Sequence, residues 1–557
     1  MAEPLGEDDV KALLDELKPW RIIPDRLRHW AKLKPDARFV QCESPWLTFK
    51  ECDERSDRIA AGFGQLGIAK GDRVAVLLPN RVEMVLIFLA LTKLGAIMVP
   101  LNIFLKGEFL AYQLRDSASR ILVTDASGSR ALADVAGGLP DLRAIVLLDE
   151  GNGQEGQESP VVADGVAVHA FATLSATAEP CPVVALTMHD IALIMYTSGT
   201  TGLPKGCMLS HGYYLSQPWS DIRAGMLRPD DVLYSAMPLF HAAAGVRQLG
   251  QALLVGAPTC FDAQFSARLF FSRVREVGAT WVSMVAAMVK AVLALPPETD
   301  VTDHKVRYVT ANAVRAEDQE QFEQRFGLVA TTLGFGQTEG MAFTKAHLDH
   351  AARKRGTIGH AGYYFDIALL DDDGFPVPTG EIGELCVRPL EPEMMFSGYW
   401  GKPEKTLEAF AGLWYHTGDL ASVDPDGFCL FQGRKTDSMR RRGENVSAVE
   451  LEDAIGKFHS VHQVAVHAVP SPLGEDDIKA CLILKADMDL DMAAFFDFLR
   501  RNVPYFAIPR FVEVMDAFPL TPTTGRVMKR LLRDRGVGDA IDLEAIGLMV
   551  DKSQRRS

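Results

Sequence analysis

Hydroxyl-bearing, glycine and lysine residues are concentrated in one stretch of this 557-residue chain, directly after a short apolar run at 191–196. The residues of this stretch are Thr197, Ser198, Gly199, Thr200, Thr201, Gly202 and Lys205. Glycines allow backbone N–H groups to turn toward an anion, hydroxyls add donors, and a lysine supplies a mobile positive charge. Because the apolar run is typical of a buried strand, we predict a phosphate-binding loop at the end of a strand. The alternative is a flexible surface loop that follows a core strand.

This loop differs from the P-loop found in many nucleotide-binding proteins. The P-loop pattern requires Gly-Lys followed by Ser or Thr. In this chain Lys205 follows Pro204 and precedes Gly206. The sequence therefore indicates a phosphate loop of a different kind.

Two further segments carry side chains suited to the other parts of a nucleotide. Within 334–340, Phe335 offers a flat apolar surface, Thr338 a hydroxyl donor, and Glu339 a carboxylate that suits Mg²⁺. The segment 414–419 ends in Asp419, an acid that suits two sugar hydroxyls. Taken alone, Asp419 can also be interpreted as a turn former after Gly418.

Cations and a histidine stand at other places along the chain. His241 follows an aromatic residue in small apolar surroundings, and Arg434 follows a glycine. Arg526 ends a Pro/Gly-rich loop near the C-terminus, with Lys529 close behind it. Taken singly, these residues are interpreted as a core histidine and surface cations. The combination of a phosphate loop, an aromatic ring, carboxylates and cations in one chain favours one shared site.

The composition limits the class of protein. The length predicts two or more domains. A net charge of −15 argues against nucleic acid as a bulk partner, because phosphate backbones require a basic face. The 8 cysteines are scattered without zinc spacing, which favours a reducing cytoplasm. The apolar stretch 84–101 is interrupted by Lys93 and predicts a buried helix and strand, not a membrane span.

Helix and strand patterns alternate over 57–148, which predicts parallel strands with helical crossovers. The predicted elements are helices at 58–67, 82–94 and 107–117 and strands at 73–78, 96–101 and 120–124. Alternation resumes after the phosphate loop and continues to about residue 335. From Tyr364 the pattern changes to strands separated by turns, at 365–370, 383–388 and 427–432, which predicts a small antiparallel region.

The last part of the chain predicts a compact α+β module, with helices at 448–458 and 490–502 and strands at 461–469 and 478–484. We place the domain boundary at 433–437. The predicted organisation is α/β: an N-terminal domain (1–433) of two α/β subdomains plus the antiparallel region, a hinge (434–437), a small mobile C-terminal domain (438–535) and a tail (536–557).

Taken together, these motifs resemble the adenylate-forming superfamily of acyl-CoA synthetases, nonribosomal-peptide adenylation domains and luciferases. The resemblance runs from about residue 25 to 535. The segments that carry it are 196–206, 355–359, 378–384, 396–400, 415–419 and 443–447. Within the superfamily, the segments around Gly398–Thr406 and Arg441–Ser447 resemble the carnitine-CoA-ligase-like branch of acyl-CoA synthetases.

The resemblance implies that a carboxylic acid attacks the α-phosphorus of MgATP, giving acyl-AMP and pyrophosphate. By resemblance, residues 197–205 hold the leaving phosphates, Glu339 holds Mg²⁺ and Thr338 contacts the α-phosphate. Phe335, between Gly334 and Gly336, stacks on adenine. The remaining nucleotide contacts implied are Asn312, Asp419 and Arg434.

His241 and the residues after it, Gly245, Arg247 and Gln248, are implied to line the acyl pocket. For Arg247 and Gln248 two interpretations stay open: recognition of a polar group on the acid, or extension of both side chains to solvent. In the second half-reaction the C-terminal domain swings about residues 434–436 and presents the Gly443 loop to CoA. Arg441 and Arg442 then contact CoA phosphates, unless the cluster 440–442 is only a solvated helix entrance.

The chain departs from the family pattern at two places. The C-terminal loop of the family has a lysine where this chain has Arg526, and Lys529 is the alternative adenylation cation. At the hinge, Thr436 replaces the more common acid or lysine. An arginine keeps the charge but not the compact ammonium.

The leading hypothesis is an AMP-forming acid–CoA ligase whose partners are a carboxylic acid, ATP and CoA. A second hypothesis is adenylation for a separate carrier protein, and a third is a non-catalytic acyl-adenylate binding protein. The sequence leaves a homodimer open.

Overall fold

The computed structural model describes most of the chain. The described residues are 5–133, 135, 138–148, 165–197, 203–312, 314, 316–331, 334–345, 353–435, 438–471, 474–519 and 527–550.

Seven of the described strands form the first sheet. Their order across the sheet is Ala167–Ala170, Ala144–Leu147, Ile121–Thr124, Arg73–Leu77, Ile97–Pro100, Ile191–Thr197 and Lys205–Ser210. All pairs are parallel except the last, which is antiparallel. The inner strands Ile97–Pro100 and Ile121–Thr124 are buried along their whole length, as expected when both faces of a parallel sheet are covered. The predicted phosphate loop therefore joins the two strands at one edge of this sheet.

A second sheet is also built from seven described strands. Their order is Val329–Thr331, Tyr308–Asn312, Trp281–Val285, Leu233–Ser235, Thr259–Phe261, Arg38–Gln41 and Leu47–Thr48. Again only the last pair is antiparallel. The two sheets confirm the predicted pair of α/β subdomains.

The helices that cover these sheets follow from apolar periodicity and terminal signals. In the N-terminal part they are Glu7–Leu17, Ile23–Leu33, Phe49–Gln65, Val82–Leu94, Gly107–Asp116, Ala126–Ala133, Phe171–Ser175, His211–Ser216, Trp219–Arg223, Leu249–Val255, Phe270–Val277, Ala286–Leu293, Ala316–Phe326 and Pro403–Ala409, with a π-helix at Ala242–Gln248 and 3₁₀ turns at Pro297–Thr299 and Ala411–Leu413. Thr48 caps Phe49–Gln65 through a reciprocal capping box with Glu51. That helix begins nine residues before the predicted start at residue 58, because the cap lies among residues without apolar spacing.

The apolar stretch 84–101 is a buried helix followed by a buried strand, as predicted. Its helix spans Val82–Leu94 and ends at Gly95, which adopts φ 65°. The buried ammonium of Lys93 pairs with Asp53 and Asp57 at 2.6 Å each. None of the described helices has the length and apolarity that crossing a bilayer requires.

The predicted antiparallel region is a sheet of four described strands, Phe365–Leu370, Gly383–Pro389, Tyr415–Val423 and Cys429–Arg434. The last strand begins two residues later than predicted because Gly427, at φ 86°, belongs to the preceding turn. Two short strands that precede this sheet in the sequence, Thr344–Lys345 and His360–Ala361, form a separate antiparallel pair.

The C-terminal region begins with an antiparallel hairpin, Ser438–Arg441 with Glu444–Ser447. A sheet follows with the order Val461–Pro470, Asp476–Leu484, Phe511–Val514 and Ile541–Asp542, accompanied by helices Ala448–Ile455, Met492–Asn502 and Lys529–Asp534. The predicted α+β module is confirmed. The basic cluster is not a helix entrance: Arg440 and Arg441 lie on a strand, because the helix starts only at Ala448.

One apolar cluster joins the first sheet to the C-terminal region. It contains Leu77, Ile97 and Leu110 of the first subdomain together with Met439 and Phe495 of the C-terminal module. The predicted boundary at 433–437 is described only in part, since Thr436 and Asp437 lie outside the described residues. The domain limits therefore stay predictions.

Candidate active site

The structure describes the two ends of the predicted phosphate loop. Thr197 and Lys205 face each other in the antiparallel register of the edge strands. The Thr197 hydroxyl lies 3.5 Å from the Lys205 carbonyl oxygen. Ser198, Gly199, Thr200, Thr201 and Gly202 lie outside the described residues, so their contribution stays a prediction.

The base of this loop is anchored to Asp116, at the end of a neighbouring helix. Tyr196 donates its hydroxyl to Asp116 at 2.8 Å, and Lys402 donates to the same carboxylate. Tyr112 donates to the carbonyl of Pro204 at 2.9 Å. Burial and the negative charge of Asp116 raise the pKa of the Tyr196 phenol, which therefore stays a donor. Both ends of the loop are held in place before any ligand arrives.

The ammonium of Lys205 lies over the ring of Tyr399, 4.2 Å from its centroid. On its other side, the Tyr399 hydroxyl donates to Oε1 of Glu339 at 2.8 Å. The Glu339 side chain is buried. A single tyrosine thus lies between the predicted phosphate-binding lysine and the predicted metal-binding carboxylate. The sequence analysis did not single out Tyr399, although it stands in the motif 396–400.

The segment before Glu339 makes a tight approach to Thr344. Gly334 adopts φ 107°, and a Cβ there would lie 1.9 Å from the Thr344 carbonyl oxygen, so only glycine fits. The amide of Phe335 donates to Thr344 Oγ1 at 2.8 Å. The ring of Phe335 is half-buried and stacks against the exposed ring of Phe431 at 6.1 Å. At Gly336 a Cβ would lie 2.4 Å from the Met341 backbone.

Two consecutive short helices, His211–Ser216 and Trp219–Arg223, and the turn between them contact the same motif through three side chains. The Tyr213 hydroxyl donates to the carbonyl of Thr338 at 2.7 Å. Gln217 accepts from the amide of Met341 at 3.1 Å. Asp221 pairs with Lys345. These side chains are spaced by four residues and therefore lie along one face.

Asp419 is buried and accepts a hydrogen bond from Gln337 at 2.7 Å. The other end of the Gln337 amide accepts from the Tyr415 hydroxyl at 2.9 Å. Arg434 stands directly opposite Asp419 in the antiparallel register, although its side chain is not described. The two predicted ribose residues are thus neighbours on adjacent strands. Asn312 ends the strand Tyr308–Asn312, which lies next to the edge strand Val329–Thr331 of the second sheet, and its side chain is likewise not described.

His241 precedes the π-helix Ala242–Gln248 and connects the N-terminal body to the C-terminal hairpin. Its Nε2 lies 2.9 Å from Oε1 of Glu444. Glu444 follows Gly443, which adopts φ 81° and donates its amide to Glu475 at 3.2 Å. The predicted CoA loop therefore already lies against the predicted acyl-side histidine. Glu444 is a site residue that sequence reasoning missed, although it stands in the quoted segment 443–447.

The three residues after His241 that we assigned to the acyl pocket lie in different surroundings. Gly245 fits closely under Leu239, whose carbonyl oxygen lies 2.0 Å from a Cβ built on the glycine. Gln248 is buried and donates to Thr259 at 3.1 Å. Arg247 pairs with the buried Asp221. Gln248 therefore does not extend to solvent, whereas Arg247 keeps its guanidinium on Asp221 with 12% of its side chain exposed.

Asp221 and Lys345 form a buried ion pair whose charges shift each other's titration. Burial by itself raises the pKa of Asp221, but Arg247 and Lys345 together lower it to about 2. Burial lowers the pKa of Lys345 to about 8, although Asp221 opposes this shift. Both groups are charged at neutral pH.

Arg441 and Arg442 differ sharply although they are adjacent. Arg441 is buried, donates to the Ile508 carbonyl and pairs with Asp477 at 3.3 Å. Its burial lowers the pKa to about 10. The Arg441 side chain thus points into the interior of the C-terminal module. It does not lie at the surface position that CoA phosphates require. Arg442 is exposed and lies over the ring of Tyr505.

The structure describes only one of the two candidate adenylation cations. Lys529 begins the helix Lys529–Asp534 and pairs with Glu452 at 2.7 Å. Arg526 lies outside the described residues. The choice between them stays a prediction.

Two family models match long parts of the chain. A family model described as AMP-binding enzyme matches residues 27–400, and a model of the AMP-binding enzyme C-terminal domain matches 450–524. A crotonobetaine/carnitine–CoA ligase of Salmonella paratyphi A is 32% identical over 506 residues, which cover 89% of this chain and 95% of that protein.

Solved structures share the fold over most of the chain. The anthranilate CoA ligase AuaEII, in complex with anthranoyl-AMP, is 26% identical with a TM-score of 0.66, covering 93% of this chain and 98% of that one. A fatty acyl CoA synthetase of Mycobacterium tuberculosis is 25% identical with a TM-score of 0.63, covering 92% and 98%. The o-succinylbenzoate CoA synthetase of Bacillus subtilis is 23% identical with a TM-score of 0.77, covering 92% and 99%.

Proposed function

Because this chain belongs to the family of AMP-binding enzymes, we propose that it is an AMP-forming acid–thiol ligase. It activates a carboxylic acid with ATP and then transfers the acyl group to CoA. Support comes from the two family matches, which follow each other along the chain, and from the crotonobetaine/carnitine–CoA ligase that is similar over 506 residues.

In the first half-reaction a carboxylate oxygen of the acid attacks the α-phosphorus of ATP. The bond between the α-phosphorus and the bridging oxygen breaks, and pyrophosphate leaves. Such phosphoryl chemistry depends on positioning and on neutralising the phosphate charges. Lys205 and the loop it ends are the groups proposed for the leaving phosphates, and Thr338 is proposed for the α-phosphate.

The single observation that carries the proposal is the position of Tyr399. Its ring lies under the ammonium of Lys205, and its hydroxyl holds Glu339. A cation for phosphates and a carboxylate are therefore separated by one aromatic ring. A mere surface loop would not hold its lysine over a buried tyrosine–carboxylate pair.

The residues present fit Mg²⁺, which the family implies. Glu339 is a buried carboxylate, and Tyr399 occupies only its Oε1. Carboxylate oxygen is the ligand type that Mg²⁺ prefers. When bound, the ion supplies neutralisation of the phosphate charge.

In the second half-reaction the thiol sulfur of CoA attacks the acyl carbonyl carbon. The carbon–oxygen bond to the phosphate breaks, AMP leaves and the thiol proton is released. The contact of Glu444 with His241 supports a role for the hairpin in this step, because it lays the Gly443 loop against the acyl-side residues. Arg442 is the surface cation proposed for CoA phosphates.

The reaction is tested with a panel of carboxylic acids, including carnitine, crotonobetaine, anthranilate and fatty acids. Purified enzyme is assayed for acid-dependent ATP–pyrophosphate exchange and for CoA-dependent AMP release. We expect both with at least one acid. Formation of ADP, or no use of ATP with any acid, would refute the function. AMP release that requires a carrier protein in place of CoA would favour the carrier alternative.

The adenylation cation is tested by Arg526→Ala. We expect ATP–pyrophosphate exchange to fall about 10²-fold or more, on the scale of one lost oriented donor. Lys529→Ala serves as the matched comparison, since Lys529 already pairs with Glu452. Unchanged exchange in Arg526→Ala, with loss in Lys529→Ala, would transfer the role to Lys529.

A cytoplasmic location and a homodimer stay predictions. Sedimentation analysis of the purified chain tests the dimer, and fractionation of cells that produce the chain tests the location.

A further inference from the structure

A cluster of charges is buried behind the acyl-side segment. Asp221, whose side chain is 0% exposed, accepts hydrogen bonds from Arg247 at 3.1 Å and Gln251 at 2.7 Å, and also from Lys345. The Lys345 side chain is only 2% exposed. One carboxylate therefore faces two cations.

This cluster carries an excess positive charge. Among the residues that the structure describes, Asp221 is the one carboxylate that pairs with Arg247 or with Lys345. With all three groups charged, the sum is one positive charge. A buried charge without a counter-charge is costly unless another group compensates it. The cluster therefore has the electrostatics of a site that lacks one anion.

Arg247 is the member of the cluster that reaches accessible space. Its Nε and Nη2 donate to Asp221. Its Nη1 has no acceptor among the described residues and keeps accessible surface, since the side chain is 12% exposed. A guanidinium with one edge held and one edge open suits a planar, bidentate acceptor.

Arg247 lies on the same face of its helical segment as the partly accessible residues next to His241. Residues 242–248 form a π-helix, in which each turn spans between four and five residues. Ala242, Ala243 and Arg247 are partly accessible, whereas Ala244, Val246 and Gln248 are buried. Arg247 thus lies about one helical turn beyond Ala242, the first residue of the segment that follows His241.

Lys345, the second cation of the cluster, lies on the segment that carries Glu339. It follows Glu339 by six residues, just as Arg247 follows His241 by six. Asp221 ties the two segments together at this depth. The two cations of the cluster therefore stand on the two segments that carry His241 and Glu339.

We propose that Arg247, backed by Lys345, binds a second carboxylate of the acid substrate, remote from the carboxylate that is activated. This inference rests on the proposed ligase function and assigns dicarboxylic acids as the substrate class. The second carboxylate supplies the missing negative charge, and the guanidinium fork fixes its orientation.

The test compares α,ω-dicarboxylic acids of increasing length with monocarboxylic acids and mono-amides of equal length. The measurement is kcat/KM for acid-dependent pyrophosphate release. At one chain length the dicarboxylic acid should be preferred about tenfold or more, as expected for one charge-assisted hydrogen bond. The mono-amide keeps the shape but not the charge, so it should behave like the monocarboxylic acid.

Arg247→Met and Lys345→Met identify the residues responsible. Each leaves Asp221 with one cation, so each should fold, and a melting temperature checks this. The ratio of kcat/KM for the dicarboxylic acid to that for the monocarboxylic acid should fall toward one, most in Arg247→Met. Arg275→Met is the matched control, because this exposed arginine pairs only with Asp303 among the described residues; its ratio should stay at the wild-type value.

Each outcome bears on a different statement. Equal losses for both acids in Arg247→Met and Lys345→Met would make the cluster purely structural and overturn the inference. Turnover of monocarboxylic acids without any preference for dicarboxylic acids would overturn it while leaving the ligase function intact. Absence of pyrophosphate release with every acid would reject the ligase function, and the inference would fall with it.

Discussion

The contacts that hold the candidate site residues within the N-terminal body differ in kind from the contact through which the C-terminal domain meets that body. In the body, Glu339 and Asp419 are buried and each is held by a neutral donor, Tyr399 or Gln337. The C-terminal domain meets the site through Glu444 and His241, and the His241 side chain is 39% exposed. An edge-to-face contact of Phe104 with Tyr505, at 4.7 Å, lies nearby.

The difference follows from what each region must do. Groups that stabilise developing charge work best when they are held rigidly in a dry surrounding. The proposed swing requires the C-terminal domain to give up contacts with the body, and a partly exposed pair such as His241–Glu444 is a contact of low energy that can be given up. Substitutions in the body should therefore cost more than substitutions at the domain contact.

The largest effect is expected for Asp221→Asn in the body. Without the carboxylate, Arg247 and Lys345 are buried cations that share no counter-charge. Breaking a buried pair in this way costs about 3–5 kcal/mol of unfolding free energy. Urea unfolding measures it, with Asp303→Asn as control because Asp303 pairs with Arg275 at the exposed surface. A loss equal to that of the control would show that the body does not depend on this carboxylate.

Glu339→Gln should come next. The amide keeps the shape and the hydrogen bond from Tyr399 but lacks the charge. We expect kcat for pyrophosphate release to fall about 10²–10³-fold, as for other lost charge-stabilising groups. Glu408→Gln, in an exposed pair with Lys405, is the control. An unchanged kcat in Glu339→Gln would remove this residue from the site.

A somewhat smaller effect is expected for the pH dependence of the contribution that Asp221 makes to the free energy of unfolding. Its folded-state pKa of about 2 lies below the ordinary value of 3.8, so the unfolded chain binds more protons in this window. The contribution to stability is complete above pH 3.8 and is lost as the pH falls toward 2. The stability difference between the wild type and Asp221→Asn should therefore shrink by about 2 kcal/mol across this range. A difference that is constant with pH would contradict the assigned pairing.

The smallest effect is expected for Glu444→Gln at the domain contact. A partly exposed pair contributes up to about 1 kcal/mol, so thioester formation should slow by no more than about fivefold. Pyrophosphate release should be unaffected, because this contact belongs to the second half-reaction. A double-mutant cycle with His241→Asn isolates the pair. Equal losses in both half-reactions would mean that the contact is not specific to one domain arrangement.

Local elements were predicted well where a short pattern carries the information. The helix Val82–Leu94 and the strand Phe365–Leu370 were predicted with the bounds that the structure has. The different burial of two adjacent residues was not predicted from the sequence. Arg441 and Arg442 look alike in the sequence, but strand alternation and the turn at Arg442 bury the first and expose the second.

The sequence by itself determined the order of the motifs, the position of the phosphate loop after an apolar strand and the family of the chain, because these depend on neighbours within a few residues. Only the tertiary structure decided which groups meet. Lys345 reaches Asp221 across 124 positions, and Glu444 reaches His241 across 203. Such pairs have no local signal, since the closure of the chain around them is set by the packing of whole elements. The charge excess beside Arg247 became visible only when three distant residues were brought together.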